Sequence, residues 1–186
     1  MKVIENYENV QASSGEFARP TAGGYICKIM DVTDVDHNPN TGKGQYLRIE
    51  YDIANGDFAG YFKKQFDKWG GDWKANFVRS YKKENLGMLK HFTNCIEASN
   101  TGYAWDWNEK GLIGKVIGLV LGEEEYKNNA NEIKTKLVVK NVATVEDIKN
   151  GNFKIPAPKK LAVENSTNDF AGFTPVTDNS MDDLPF

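Results

Sequence analysis

Hydrophobic and polar residues alternate along residues 45–53, with the period of a half-buried β-strand. One face carries Leu47, Ile49, Tyr51 and Ile53, and the opposite face carries Tyr46, Arg48, Glu50 and Asp52. Residues 25–32 are rich in β-branched and aromatic side chains and predict a preceding strand. Because residues 36–42 are dense in turn formers, we expect a loop that joins strands one and two.

The pattern changes after this pair of strands. Asn55 and Gly56 form a hairpin signal, so we interpret residues 58–66 as a third strand that pairs back on the second. Beyond Gly70 and Gly71 the apolar spacing lengthens to three or four residues, which is typical of helices. The apolar positions with this longer spacing are Trp73, Phe77, Tyr81, Leu86, Leu89, Phe92 and Ile96. We therefore predict a helical region after strand three.

Two further apolar segments, residues 115–121 and 133–142, predict strands four and five, with a polar loop at 122–132 between them. Three strands, a helical insert and two strands is the order of elements in the five-stranded OB barrel. An SH3-like barrel is the nearest competitor, but the long segment after strand three fits a helical insert better than a structureless loop. The predicted fold class is mainly β, an OB-fold barrel with a helix between strands three and four.

Charge is distributed unevenly along the chain. The 186 residues contain 23 Lys and Arg against 26 Asp and Glu, a net charge of −3, but residues 161–186 contain five acidic residues and no basic one. Residues 1–160 therefore carry 23 basic and 21 acidic side chains, a net charge of +2. A slightly basic body with an acidic tail is typical of nucleic-acid-binding proteins. We divide the chain into an arm at 1–20, a domain at 21–155, and a tail at 156–186 whose polar composition predicts disorder.

Motifs for other classes of protein are missing from the sequence. Cys27 and Cys95 lie far apart and form no C-x-x-C pair, which argues against a disulfide framework and a cysteine zinc site. The N-terminus lacks the apolar segment of a signal peptide, and no segment approaches the ~20 apolar residues of a membrane span. His37 and His91 are isolated, and no Walker loop or G-x-S-x-G motif occurs. We expect a cytoplasmic protein with no membrane contact, no metal and no cofactor.

The C-terminal tip carries the most specific motif of the chain. Bacterial single-stranded-DNA-binding proteins end in an acidic segment whose tip is Asp-Asp-Asp-Ile-Pro-Phe or a close variant, and this tip resembles it, with Met181 in place of one further Asp. The resemblance implies a binding site for replication and recombination proteins, formed by Asp182, Asp183, Leu184, Pro185 and Phe186. Phe186 supplies an apolar anchor and a terminal carboxylate, and the aspartates raise the rate of encounter with a basic partner. A merely solubilising tail has no need of an apolar end.

The body is similar in pattern to a phage family of OB-type single-stranded-DNA-binding proteins. The similarity lies in residues 20–29, 44–55 and 58–66, which resemble the corresponding strands of that family. It implies a phage or prophage protein in the cytoplasm of a bacterial host, which coats single-stranded DNA during replication and recombination without catalysis. The oligomeric state stays open, with a homo-oligomer among the alternatives.

Candidate DNA contacts follow from the chemistry of single-strand binding, which needs Lys and Arg along the backbone path and aromatic faces on which bases stack. Residues 61–95 hold eight basic and three acidic side chains, a local charge of +5. The candidates are Tyr46, Arg48, Tyr61, Lys63, Lys64, Trp69, Trp73, Lys134, Lys136 and Lys140. For each lysine the alternative is a solvated strand face, and for the two tryptophans it is closure of the barrel end. Trp105 and Trp107 are either a stacking platform or part of a packed loop.

Two other functions remain as alternatives. A strand-annealing or recombination-mediator protein could carry a similar tail. A metal-dependent nuclease would use Glu132 and Lys134 as an E-x-K pair, with Glu123 or Glu124 as a second carboxylate. Such triplets are common by chance, so a non-catalytic binding protein is the favoured interpretation.

Overall fold

Five antiparallel strands build one sheet in the computed structural model, which describes residue 5 and residues 7–9, 18–36 and 44–161. The strands are β1 (Gly23–Val35), β2 (Tyr46–Ile53), β3 (Asn76–Ser80), β4 (Val116–Lys127) and β5 (Ile133–Ala143). The helices are α1 (Tyr61–Trp69), α2 (Leu86–Ser99) and α3 (Val145–Lys149), with 3-10 turns at Tyr7–Asn9, Lys83–Asn85 and Glu109–Leu112. The spatial order is β3-β2-β1-β4-β5, which places β1 at the centre.

The mainly β architecture and the helix between strands three and four, α2, are confirmed. Within the described residues no hydrogen-bonded ladder joins β3 to β5. The sheet is therefore open between its two edge strands. Residues next to both edges line the groove described below.

The core lies against one face of this sheet, as the alternation along β2 predicts. Leu47, Ile49 and Tyr51 are buried, while Arg48 between them stays partly exposed. The helix α2 places its apolar stripe over the same core, and the ring of Phe92 meets the ring of Phe77 edge-on at 5.8 Å. The spacing of apolar residues along 86–96 thus identified α2 correctly.

The central part of β4 is buried on both faces, which explains its unbroken apolar sequence. Residues 117–121 are all buried because the short helix α3 covers the face opposite the core. A Cβ atom at Gly118 would lie 2.5 Å from Cγ1 of Ile148, so only glycine lets α3 approach this closely. Thr144 caps α3, since its hydroxyl oxygen accepts a hydrogen bond from the backbone N–H of Asp147 at 3.0 Å.

The prediction of a third strand over 58–66 is wrong. Residues 61–69 form helix α1 instead, and Gly60 precedes it in the left-handed region, with φ 68°. The apolar positions Phe58, Phe62 and Phe66 are four residues apart, a helical spacing that the hairpin signal at Asn55 and Gly56 outweighed in the sequence-based interpretation. The positions at 61 and 63 therefore lie on a helix rather than on a strand face.

The predicted helical face at Trp73, Phe77 and Tyr81 is also wrong, because residues 76–80 form β3. A spacing of four residues fits both a helix and a strand, since four is a multiple of the strand period of two. The ladder with β2 decides between them, pairing Phe77 with Ile49 and Arg79 with Leu47. Strand three thus begins 18 residues further along the chain than the sequence suggested, at residue 76 instead of 58.

The hairpin of β4 and β5 is longer than predicted, because half of the expected loop at 122–132 continues β4 to Lys127. The ladder pairs Glu124 with Lys136 and Tyr126 with Lys134. The turn is short and held by Asn128, whose side-chain oxygen accepts a hydrogen bond from the backbone N–H of Glu132 at 2.8 Å. The consecutive charged residues Glu123, Glu124 and Glu125 hid this part of the strand from an argument based on apolar runs.

The chain leaves the domain along the outer half of β4. Residues 156–161, which we assigned to the tail, pass beside it, and the backbone N–H of Lys159 donates to the carbonyl of Glu123 at 2.9 Å. The carbonyl of Lys159 accepts from the backbone N–H of Glu125 at 2.9 Å. Most of the arm, all of residues 162–186 and therefore the predicted tip lie outside the described residues. Among the helices described, none has the length and apolar character needed to cross a membrane.

Candidate functional site

A groove of about 670 Å³ lies between α1, the segment 70–74 and the β4–β5 hairpin. One wall consists of α1 and the segment that leads into β3, and the other consists of β4 and β5. Strands β3 and β5 are the two edge strands of the sheet. The aromatic lining consists of Tyr61, Phe62, Phe66, Trp69 and Tyr126. The charged lining consists of Arg19, Asp72, Lys74, Glu123 and Lys136. The groove is therefore a concave surface that offers both flat rings and charged groups to a ligand.

Trp69 presents the most accessible ring of the groove. It is the last residue of α1, and its side chain is 75% exposed. Gly70 and Gly71 follow with φ values of 64° and 85°, a conformation that turns the chain away and leaves the indole uncovered. The ammonium of Lys68 lies 4.8 Å from the centre of the ring. An exposed indole is suited to stack on a flat ligand, and a cation beside it attracts the negative charge of such a ligand.

Trp73 plays the other role proposed for the tryptophans. Its ring packs at the margin of the core, and its Nε1 donates a hydrogen bond to the carbonyl of Tyr51 at 3.0 Å. The ring of Phe66 lies 5.5 Å from that of Trp73 and continues toward the groove. Trp73 therefore closes one end of the core, in agreement with the alternative interpretation.

Tyr61 begins α1 and contributes to both the core and the groove. Its ring packs edge-on against Phe62 at 5.2 Å and against Phe58 at 6.2 Å. Its hydroxyl oxygen accepts a hydrogen bond from the side chain of Gln65 at 2.9 Å. A half-buried ring fixed in this way is preorganised for contact with a ligand in the groove.

The opposite wall is supplied by the β4–β5 hairpin. Tyr126 is 38% exposed, and the ammonium of Lys136 lies 5.7 Å from the centre of its ring. Lys74, in the segment that leads into β3, contributes a second ammonium, and Arg19, in the segment that leads into β1, contributes a guanidinium. Three cations thus line the groove against the two carboxylates of Asp72 and Glu123. The arrangement offers aromatic surfaces on both walls with basic groups between them.

The structure brings together only part of the predicted set. Tyr61, Trp69 and Lys136 line the groove, and the other described candidates do not. Tyr46 and Arg48 lie on the outer face of β2, where the guanidinium of Arg48 pairs with Glu50 at 3.0 Å. The pKa of Glu50 lies above its usual value, because the effect of burial is larger than the opposing effect of the neighbouring Arg48.

The remaining predicted lysines are engaged by their own neighbours. Lys63 pairs with Asp67 at 2.8 Å along α1, and Lys134 pairs with Glu132 at 3.1 Å. The ammonium of Lys64 donates to the carbonyl of Ala59 at 3.1 Å. Lys140 pairs with Glu124 at 2.5 Å, and this hydrogen bond holds the pKa of Glu124 below its usual value.

Two of the carboxylates invoked for a nuclease site, Glu124 and Glu132, are held in these ion pairs, whereas Glu123 lines the groove. Hydrogen bonds from Asn128 and then from Lys134 lower the pKa of Glu132, which faces Lys134 rather than another carboxylate. Across the residues that the structure describes, no group of three or more His, Cys, Asp or Glu residues is arranged to hold a metal ion. In the structure, Glu124 and Glu132 of this hairpin are therefore partners of lysines.

Sequence reasoning missed Tyr126, Lys74 and Arg19. Tyr126 was assigned to a loop, although its place opposite Lys134 follows once β4 is extended to residue 127. Lys74 was counted in the basic segment 61–95 but was not chosen as a DNA contact. Arg19 was assigned to the arm, and only the fold brings it to the groove.

Comparisons with known proteins add no assignment to this geometry. No family model matches the sequence, and a search of curated proteins finds no match.

Proposed function

We propose that the protein is a non-catalytic single-stranded-DNA-binding protein that holds the strand in the groove between α1 and the β4–β5 hairpin. The observation that carries the proposal is the combination of Tyr61, Trp69 and Tyr126 with Lys74 and Lys136 in one groove. Bases of a single strand expose their faces for stacking, and phosphates seek ammonium groups, so both kinds of group are satisfied together. A duplex hides its base faces and gains little from the rings.

The strand order supports an OB-type barrel as the scaffold. β1 pairs with both β2 and β4, β2 pairs with β3, and β4 pairs with β5. A five-stranded OB barrel has its strands in a comparable order and is commonly partly open, which is consistent with the open sheet between β3 and β5. In such folds the face of strands two and three and the loop between strands four and five bind nucleic acid. The hairpin with Tyr126 and Lys136 belongs to that region.

The acidic tip at 182–186 supplies the second half of the proposed function, which is recruitment of replication and recombination proteins. The tip lies outside the described residues, so its role rests on the sequence motif. The chain that leads to it passes beside Glu123 and Glu125 of β4, and Glu123 also lines the groove. The tail therefore starts next to the proposed DNA site. In this proposal the chain is a phage or prophage protein that acts during replication and recombination.

A titration over salt concentration tests the proposal. Binding to oligo(dT) and to a duplex of equal length would be measured by fluorescence anisotropy at several salt concentrations. If each of the three cations that line the groove neutralises one phosphate, the slope of log affinity against log salt is expected to be about −2, from ~0.7 per phosphate of a single strand. Equal affinity for the duplex, or an affinity insensitive to salt, would contradict the proposal.

Two added measurements separate the alternatives. Incubation with Mg²⁺ and labelled single strands should leave the strands intact, whereas cleavage would favour the nuclease. Particle size with and without DNA should show no large ring, whereas rings with accelerated strand pairing would favour an annealing protein.

A further inference from the structure

Trp107 does not line the groove and has an unusual backbone conformation. Its φ is 65°, in the left-handed region that bulky side chains rarely adopt, and its side chain is 79% exposed. Neither feature favours folding, because the backbone is strained and the indole remains in water. Strain that persists at an exposed aromatic residue points to a role in binding.

Hydrogen bonds hold the loop around Trp107 at both of its ends. The backbone N–H of Trp105 donates to the carboxylate of Glu97 on α2 at 2.7 Å. The ammonium of Lys110 donates to the carbonyl of Val32 on β1 at 2.7 Å. Inside the loop, the backbone N–H of Asn108 donates to Asp106 at 3.1 Å. Trp107 is thus presented by a fixed loop, which lowers the entropic cost of binding through it.

A cleft of about 300 Å³ opens beside the indole. Trp105 and Trp107 form one side, with ring centres 6.0 Å apart, and Leu47 lies in its lining. Leu86 and Leu89 of α2 form the other side, and Leu86 is 45% exposed. The cleft is large enough for one or two apolar side chains, and it shares no described lining residue with the groove.

The charge of the cleft selects among occupants. Asp34 and Glu109 line it, and none of its described lining residues is Lys or Arg. The hydroxyl of Tyr81 donates to one oxygen of Asp34 at 3.0 Å and fixes that carboxylate at the rim. A phosphate backbone would be repelled here, and so would residues 162–186 of this chain, which carry five acidic residues and no basic one.

We propose that this cleft docks a peptide segment of another protein, in which an apolar side chain is flanked by lysine or arginine. The apolar side chain enters between Trp107 and Leu86, and the flanking cations face Asp34 and Glu109. The surface would be a second interaction site, separate from the groove and from the C-terminal tip. It does not depend on the groove binding DNA.

The test uses the full-length protein and three labelled hexapeptides as probes, followed by fluorescence anisotropy. They are Lys-Lys-Leu-Phe-Lys-Lys, its acidic counterpart Glu-Glu-Leu-Phe-Glu-Glu, and Lys-Lys-Ser-Ser-Lys-Lys without the apolar pair. We expect the first peptide to bind at least tenfold more tightly than either counterpart. Trp107→Gly should weaken it at least tenfold while the thermal midpoint stays equal or rises, since glycine accepts the positive φ. Trp69→Ala, which changes the groove, serves as the matched control and should bind the peptide normally.

Four outcomes would overturn the inference. The acidic peptide could bind as tightly as the basic one, or Trp107→Gly could leave binding unchanged. A tenfold loss of oligo(dT) affinity in Trp107→Gly would instead identify nucleic acid as the occupant. A concentration-dependent dimer that Trp107→Gly abolishes in sedimentation would identify a second copy of this chain.

Discussion

The carboxylate of Asp52, at the end of β2, accepts a hydrogen bond from the backbone N–H of Lys63 at 3.0 Å. The same buried side chain also accepts from the backbone N–H of Phe62 at 3.0 Å, so two of the free amides at the start of α1 are satisfied by the preceding strand. The residue in the capping position, Gly60, has no side chain that could do this. Asp52 therefore fixes α1, and with it one wall of the groove, to the sheet.

Asp52→Asn should destabilise the protein by about 1–3 kcal/mol. The amide is a neutral acceptor in place of a charged one, and its NH₂ group would face a backbone N–H that is itself a donor. Denaturant unfolding of the purified variant measures this change. Asp67→Asn is the matched control, since its exposed ion pair with Lys63 is worth at most ~0.5 kcal/mol. Equal stability of the two variants would show that Asp52 does not hold α1.

Trp69 and Trp73 should respond differently to truncation. Trp69→Ala is expected to weaken binding to oligo(dT) by roughly 1–3 kcal/mol through the loss of one stacked base. The free energy of unfolding should change by less than about 0.5 kcal/mol. Trp73→Ala should instead cost ~3 kcal/mol of stability, because the ring packs on the core and bonds to Tyr51. Anisotropy and denaturant unfolding on both variants check the pair. A Trp69 variant that unfolds would place its ring in the core.

The two neighbouring lysines of β5 offer a test of the electrostatic path. Lys136→Ala should reduce the magnitude of the salt slope by ~0.7, since one phosphate contact is lost. Lys134→Ala is the control, because its ammonium is paired with Glu132 and lies outside the lining of the groove. A smaller slope in both variants would extend the DNA path along β5, and no change in either would remove it from this wall.

The tip should separate partner binding from DNA binding. Deleting residues 178–186 should leave thermal stability nearly unchanged, and affinity for oligo(dT) should stay level or rise slightly at low salt, because three carboxylates are removed. Phe186→Ala alone, or one residue added after Phe186, should abolish capture of host replication proteins. Pull-down and anisotropy on the same preparations give both readouts. Normal capture by Phe186→Ala would leave the tip with a solubilising role only.

The capping box of α3 predicts a dependence of stability on pH. A hydrogen bond from the hydroxyl of Thr144 lowers the pKa of Asp147 below its usual value. An acid whose pKa is lower in the folded protein contributes stability above its unfolded pKa of about 3.9, and this contribution is lost as pH falls through the folded pKa. The urea midpoint of Asp147→Asn should therefore lie below that of the unaltered protein at pH 5–7, and the gap should narrow as the pH falls below the unfolded pKa and through the lower folded pKa. A gap that persists in acid would assign the effect to the shape of the side chain.

The local patterns determined the elements whose neighbours agree with them. The period of two along 45–53 identified β2 because one face of that strand meets the core and the other meets water. The spacing from Leu86 to Ile96 identified α2 for the corresponding reason. The charge division between body and tail, and the motif at 182–186, were likewise readable without a fold, because each depends on residues adjacent in the chain.

Tertiary structure decided the rest. A spacing of four residues at Phe77 and Tyr81 fits either a helix or a strand, and only the ladder with β2 selects the strand. Helix α1 depends on Asp52, ten residues before Phe62, and local propensity does not register a cap supplied from such a distance. The groove joins Trp69 to Lys136 across 67 positions, because open strand edges and a long hairpin bring them together. Pairing between distant segments is a property of the packed chain, and no window of sequence contains it.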